Sequence, residues 1–122
     1  MDKKAVLIVE DEVLIRKHIA SMMRKMDYSV AGETATGEEA IALAQEIRPD
    51  LIVMDIRLAG TLTGIEAADR ICQDCCPDCA PCIIFASAYD LEETVPAKLA
   101  ECNIRYLHKP VTRRALDLAL AG

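Results

Sequence analysis

The sequence predicts an α/β fold, a parallel sheet of five strands with helices on both faces. Four short runs rich in Val, Ile and Leu, at residues 6–9, 51–54, 82–86 and 104–107, have the unbroken apolar character of strands buried on both sides. Each is followed by a polar or glycine-bearing loop, and helical spacing of apolar residues fills the stretches between them. The 122 residues suffice for one core on one sheet and not for two, so a single domain spanning residues 1–122 is expected, with no output domain in the chain.

Taken in order, the strand at 6–9 leads into a helix whose residues Ile15, Ile19, Met22 and Met26 fall at steps of four, three and four, a stripe that faces a sheet. A weaker strand is expected at 29–33. The second helix opens with Thr36-Gly37-Glu38-Glu39, a capping box in which the Thr hydroxyl and the Glu three residues on satisfy each other's free backbone N–H groups, and Pro49 ends it. After the strand at 51–54, a third helix begins near Thr63 and Gly64 and carries Ile65, Ala68 and Cys72 on one face until Pro77 forbids continuation. After the strand at 82–86, Pro96 confines a short fourth helix to a start near Thr94 or Val95. The strand at 104–107 precedes a last helix from about Thr112. The alternation βαβαβαβαβα places helices on both faces of a parallel sheet.

Charge and targeting signals narrow the function classes. The net charge of −6, with basic residues scattered, excludes general affinity for nucleic acid or acidic membrane surfaces. The apolar run at 5–9 is too short for a signal-peptide core and meets acids at once, so a cytoplasmic protein is expected. In a reducing compartment the six Cys are thiols or metal ligands more readily than disulfides.

In doubly wound sheets ligands bind at the carboxyl ends of the strands. There the sequence places Glu10 and Asp11, Asp55, Ser87, and Lys109 followed by Pro110, from four distant segments. Crowded carboxylates resist joint ionisation unless a cation joins them, and hard oxygen ligands suit Mg²⁺. A carboxylate beside Mg²⁺, an ammonium and a hydroxyl make a site for a phosphoryl group, with the carboxylate able to serve as nucleophile. Taken singly, each residue is also an ordinary helix cap, turn residue or solvated charge. Their convergence is the signal.

The pieces "VLIVEDE", "PDLIVMDIRL", "GIEAA", "IIFASA" and "YLHKP" resemble, over the whole chain, the receiver domains of two-component response regulators. The resemblance implies a flavodoxin-like (βα)5 three-layer sandwich. It implies that Asp55 accepts a phosphoryl group from a histidine kinase or phosphotransfer protein. Asp11, Asp55 and the backbone carbonyl of Arg57 would hold Mg²⁺, or Mn²⁺ in its place, with Glu10 reaching it through water. Ser87 would be the switch hydroxyl, Tyr106 the aromatic ring that follows it inward, Lys109 the phosphoryl's cationic partner, and Pro110 would follow a cis bond. Further partners to expect are a downstream output domain or protein, and a second copy docking through the fourth helix, fifth strand and fifth helix on phosphorylation. Such a domain promotes only its own phosphorylation and dephosphorylation and is not otherwise an enzyme. A dehalogenase-type phosphatase is disfavoured, because Arg57 stands where it would need a second Asp.

Two features depart from this pattern. Gly64 comes nine residues after Asp55, one later than in most members, and the loop between them lacks proline. Arg57 and Tyr89, each two residues past a site residue, would flank the phosphoryl group and limit access of water. The second departure is "ICQDCCPDCAPC" at 71–82, which holds five of the six cysteines. Cys75, Cys76, Cys79 and Cys82 could ligate a metal or form a redox-sensitive thiol pair, which makes a metal- or redox-sensing module the rival function. Against this, Cys72 continues a buried stripe and Cys82 occupies a strand position, where each serves as a small hydrophobe.

Overall fold

The apolar runs become strands where the pattern places them. The computed structural model describes residues 3–74, 80–88 and 102–121. In order, the elements are β1 (Ala5–Val9), α1 (Val13–Lys25), β2 (Ser29–Thr34), α2 (Gly37–Ile47), β3 (Leu51–Asp55), α3 (Gly64–Gln73), β4 (Cys82–Ser87), β5 (Ile104–His108) and α4 (Arg113–Ala121). The sheet is parallel throughout, in the order β2-β1-β3-β4-β5. Strand order therefore reverses beside β1, and a crevice opens between the carboxyl ends of β1 and β3. The expected fourth helix near Thr94 or Val95 lies outside the described residues, as do Tyr89, Cys75, Cys76 and Cys79.

Strict alternation along the central strands divides the core in two. Leu7, Val9, Ile52, Met54, Ile83 and Phe85 face α2 and α3, while Val6, Ile8, Leu51, Val53, Ile84 and Ala86 face α1 and α4. The result is three layers, as expected. On α1, Ile19 is buried and Ile15, Met22 and Met26 pack against its cluster as the stripe predicts, but the methionine buried outright is Met23. Among the described residues, no helix is long and apolar enough to cross a membrane.

The helix starts differ in one respect from expectation. Thr36 caps α2 by accepting from the Glu39 amide at 3.2 Å, but the Glu39 carboxylate does not return to the cap. It accepts instead from the hydroxyl of Thr34, at 2.6 Å, because that hydroxyl is buried at the end of β2 and needs a partner. The reciprocal capping box is at α3, where Thr63 and Glu66 bond each other's amides at 3.0 and 3.1 Å. At the end of α2, Arg48 takes the left-handed conformation at φ 52° ahead of Pro49. The Lys109–Pro110 peptide bond is cis, as the resemblance implies.

α3 starts hard against the backbone of the residue that ends β3. A Cβ on Gly64 would run into the carbonyl oxygen of Asp55, and the Gly64 amide donates to the Ile56 carbonyl at 2.7 Å. The obstacle is backbone, which cannot rotate away as a side chain can. Gly64→Ala is therefore expected to lower stability in urea unfolding by about 1–3 kcal/mol, the usual cost of overpacking. An unchanged midpoint would show that α3 can retreat from Asp55 freely.

Candidate functional site

Backbone pairing brings the site residues together before any side chain acts. The Glu10 amide donates to the Thr34 carbonyl at 2.9 Å, which seats the end of β1 against β2. The Lys109 amide donates to the Ser87 carbonyl at 2.7 Å, which carries the end of β5 to that of β4. Arg16, one turn into α1, donates from Nη1 to the Glu10 carbonyl at 2.8 Å and so ties α1 to the acidic loop.

On this frame, Glu10, Asp11 and Asp55 each offer a carboxylate oxygen within 4.8 Å of the others. Lys109 Nζ bridges two of them, donating to Glu10 Oε1 at 2.8 Å and to Asp55 Oδ2 at 3.1 Å. The other Asp55 oxygen, Oδ1, accepts from the Arg57 amide at 3.2 Å. A cleft of about 200 Å³ opens above them, lined by Asp11, Asp55, Arg57, Ser87 and Lys109 among others. Ser87 is buried and Arg57 is exposed. Tyr106 is not among the lining residues. It lies on β5, 44% exposed, with its ring stacked 5.8 Å from that of Phe85.

Glu10 is 1% exposed, and its Oε2 has no hydrogen-bond partner among the described residues. Burial, first, and the neighbouring Asp55 carboxylate push its carboxyl up from 4.5 to about 7, against the pull of Lys109. Burial alone would depress Lys109, but its bonds to Glu10 and Asp55 outweigh that and raise it. A buried carboxylate oxygen without a donor, within reach of two further carboxylates, is the donor set that a small hard cation fits. His18 and His108 are exposed.

The cysteine-based reading finds no support. Cys72 packs against the cluster facing α2 and α3, Cys82 against the one facing α1 and α4, so the sheet separates them. Burial raises the Cys82 thiol, with Arg105 and Lys4 pulling the other way, which disfavours the thiolate that metal ligation needs. Two contacts escaped sequence reasoning, that of Glu38 with the loop after Asp55 and that of Arg16 with the Glu10 carbonyl. The altered loop length after Asp55 was the one hint of the former, and nothing flagged the latter.

Comparison with known proteins settles the family. Residues 6–121 match the response regulator receiver domain. The chain belongs to this family. Receiver domains of this kind serve two-component regulatory systems. This one is 39% identical over 118 residues to the positive alginate biosynthesis regulatory protein of Pseudomonas aeruginosa, covering 95% of the chain and 44% of that protein. It is 36% identical over 107 residues to the transcriptional regulatory protein PdtaR of Mycobacterium tuberculosis, covering 88% and 50%. The chain thus spans half or less of the length of these relatives. Among solved structures, the signal receiver domain of a modulated diguanylate cyclase from Desulfovibrio desulfuricans G20 superposes with a TM-score of 0.78 at 33% identity, covering 98% of this chain and 92% of that one. The PhyR response regulator receiver domain of Erythrobacter litoralis gives 0.78 at 26% identity, covering 99% and 89%.

The raised Glu10 carboxyl makes stability depend on pH. A carboxyl that is harder to ionise folded than unfolded favours the folded state fully below 4.5, and that contribution is lost as the pH rises through about 7. Lys109, itself raised, stays charged throughout that window. In metal-free buffer, the thermal midpoint of the receiver is expected to fall more steeply from about pH 5 to about pH 7.5 than that of Glu10→Gln. Parallel slopes would count against a partly protonated Glu10.

Proposed function

We propose that residues 1–122 form a receiver domain that takes a phosphoryl group on Asp55 from a sensor histidine kinase or a phosphotransfer protein and changes its partner-binding surface in response. The observation that carries this reading is Lys109 Nζ, held between Glu10 and Asp55 at the crevice where strand order reverses. It leaves a carboxylate facing a cleft with a fixed cation beside it.

In the transfer, an Asp55 carboxylate oxygen forms a bond to phosphorus as the phosphorus–nitrogen bond of the donor's phosphohistidine breaks, and the imidazole departs with that electron pair. Lys109, already held beside Asp55, offsets negative charge on the transferring oxygens. Asp11, Asp55 and the backbone carbonyl of Arg57 would hold Mg²⁺ or Mn²⁺, with Glu10 reaching it through water. When bound, the ion supplies further neutralisation of the phosphoryl oxygens. Ser87, buried at the cleft wall, can offer its hydroxyl to a phosphoryl oxygen.

A phosphoryl group adds roughly −1.5 to −2 charges at this end of the sheet. Ser87 and Lys109 turn toward it, and Tyr106, half out in solvent over Phe85, has room to follow. The resulting bias on β5, α4 and the segment before them is read by an output domain, a downstream protein or a second copy through differential affinity. The domain catalyses nothing beyond its own phosphorylation and dephosphorylation, binds neither nucleic acid nor membrane by itself, and works in the cytoplasm.

Asp55→Asn is expected to abolish labelling by a small phosphodonor such as radioactive acetyl phosphate, and label retained by that variant on another residue would overturn the assignment. A second expectation concerns lifetime. If the exposed Arg57 shields the phosphoryl group from water, Arg57→Ala should lose phosphate faster than the wild type in a timed dephosphorylation assay, and an equal rate would remove Arg57 from that role.

A further inference from the structure

The loop from β3 to α3 is longer than usual and lacks the common proline, yet it leads directly out of Arg57, next to Asp55. A freer loop would place Arg57 less precisely, since fixing each backbone residue costs conformational entropy and proline lowers that cost in advance. This chain restrains the loop from a different element.

Glu38, in the first turn of α2, reaches across to it. One oxygen, Oε1, accepts three hydrogen bonds, from the Thr61 amide at 3.1 Å, the Thr61 hydroxyl at 2.8 Å and the Leu62 amide at 3.0 Å. The other, Oε2, lies 2.6 Å from where a Cβ on Gly60 would stand, and Gly60 is left-handed at φ 91°. Only glycine accommodates both the turn and the closeness. Just before it, Ala59 pairs with Thr36 in an isolated bridge. Gly37 also lets α2 meet the loop, since a Cβ there would lie 3.0 Å from that of Leu62. The loop is thus wound around one carboxylate.

An acid in a helix's first turn serves that helix's own dipole wherever it points. Here the bonds run 23 and 24 residues away, to the loop. The Thr61 hydroxyl, the amide of Glu38 itself and the loop amides hold its carboxyl below the usual range, so it accepts as an anion at neutral pH.

We infer that Glu38 is a positioning residue for the Asp55 site, holding the loop from Ala59 to Leu62 so that Arg57 is presented beside Asp55. The inference rests on the reading of that site as a cation and phosphoryl site. Because coupling is reciprocal, a cation bound at Asp55 must in turn tighten the bonds at Glu38.

The test is titration of the whole chain with Mg²⁺, followed by NMR amide shifts, together with hydrogen exchange at the Thr61 and Leu62 amides. Glu38→Ala is expected to bind Mg²⁺ about tenfold more weakly, the loss typical of supports behind metal ligands. Glu38→Gln, whose amide oxygen can still accept, should recover most of that affinity. In the wild type, Mg²⁺ should slow exchange at both amides, a linkage that a purely structural role for Glu38 would not create. Should Glu38→Ala fold poorly, Thr61→Val removes one of the three bonds and should give an intermediate weakening. Wild-type Mg²⁺ affinity in a folded Glu38→Ala overturns this inference alone. A wild type that binds no Mg²⁺ overturns the reading of the Asp55 site and this inference with it.

Discussion

The ammonium of Lys109, held between Glu10 and Asp55, is what allows the sheet to gather acids at its carboxyl end. Glu10 is buried almost completely, and a carboxylate taken out of water costs several kcal/mol unless a partner stands close. Lys109 is that partner at 2.8 Å, and it serves Asp55 with the same nitrogen. The compensation is incomplete, because Asp11 completes a trio of acids and Glu10 Oε2 faces no donor. The unmet demand is a property of the folded chain itself, set by where β1, β3 and β5 end.

The rest of the structure holds those ends in place. Val6 to Val9 and Leu51 to Met54 are sealed on both faces, so β1 and β3 cannot slide without moving side chains from one layer to the other. Pairing of β1 and β3 in register from Val6 and Leu51 to Val9 and Met54 delivers Glu10 and Asp55 to the same level. Gly64 lets α3 begin against the Asp55 carbonyl, and Arg16 ties α1 to the Glu10 carbonyl. Rigid elements therefore flank the acids on both sides.

Much of this was legible in the sequence because it depends on local pattern. Buried parallel strands announce themselves as unbroken apolar runs, and the residue after each run is automatically at the carboxyl edge, which is why Glu10, Asp55, Ser87 and Lys109 could be grouped without coordinates. What escaped were bonds between residues far apart in the chain. Glu39 satisfies the spacing of a capping box, yet the buried Thr34 hydroxyl, which no local rule places beside it, takes its carboxylate. Glu38 looks like an ordinary first-turn acid until the fold brings the loop of Thr61 alongside. Met22 and Met26 satisfied the helical stripe, whereas the tilt of α1 on the sheet decided that Met23 is the residue wholly enclosed. Within the cysteine run, Cys72 and Cys82 could be read as small hydrophobes from the helical stripe and the strand pattern alone, and they pack against the two core clusters on opposite faces of the sheet.

β5 ends the sheet on one side, and Lys109 follows it directly. The acids come from interior strands with partners on both sides, whereas the charge that balances them follows an edge strand, which among the described residues pairs with β4 alone. The strand ends at His108, and Pro110, with no N–H to donate, cannot extend its pairing beyond the lysine. An edge of the sheet thus supplies the counterion of its buried centre. The end of β5 and the acid trio are consequently joined through one side chain, whose ammonium is common to both.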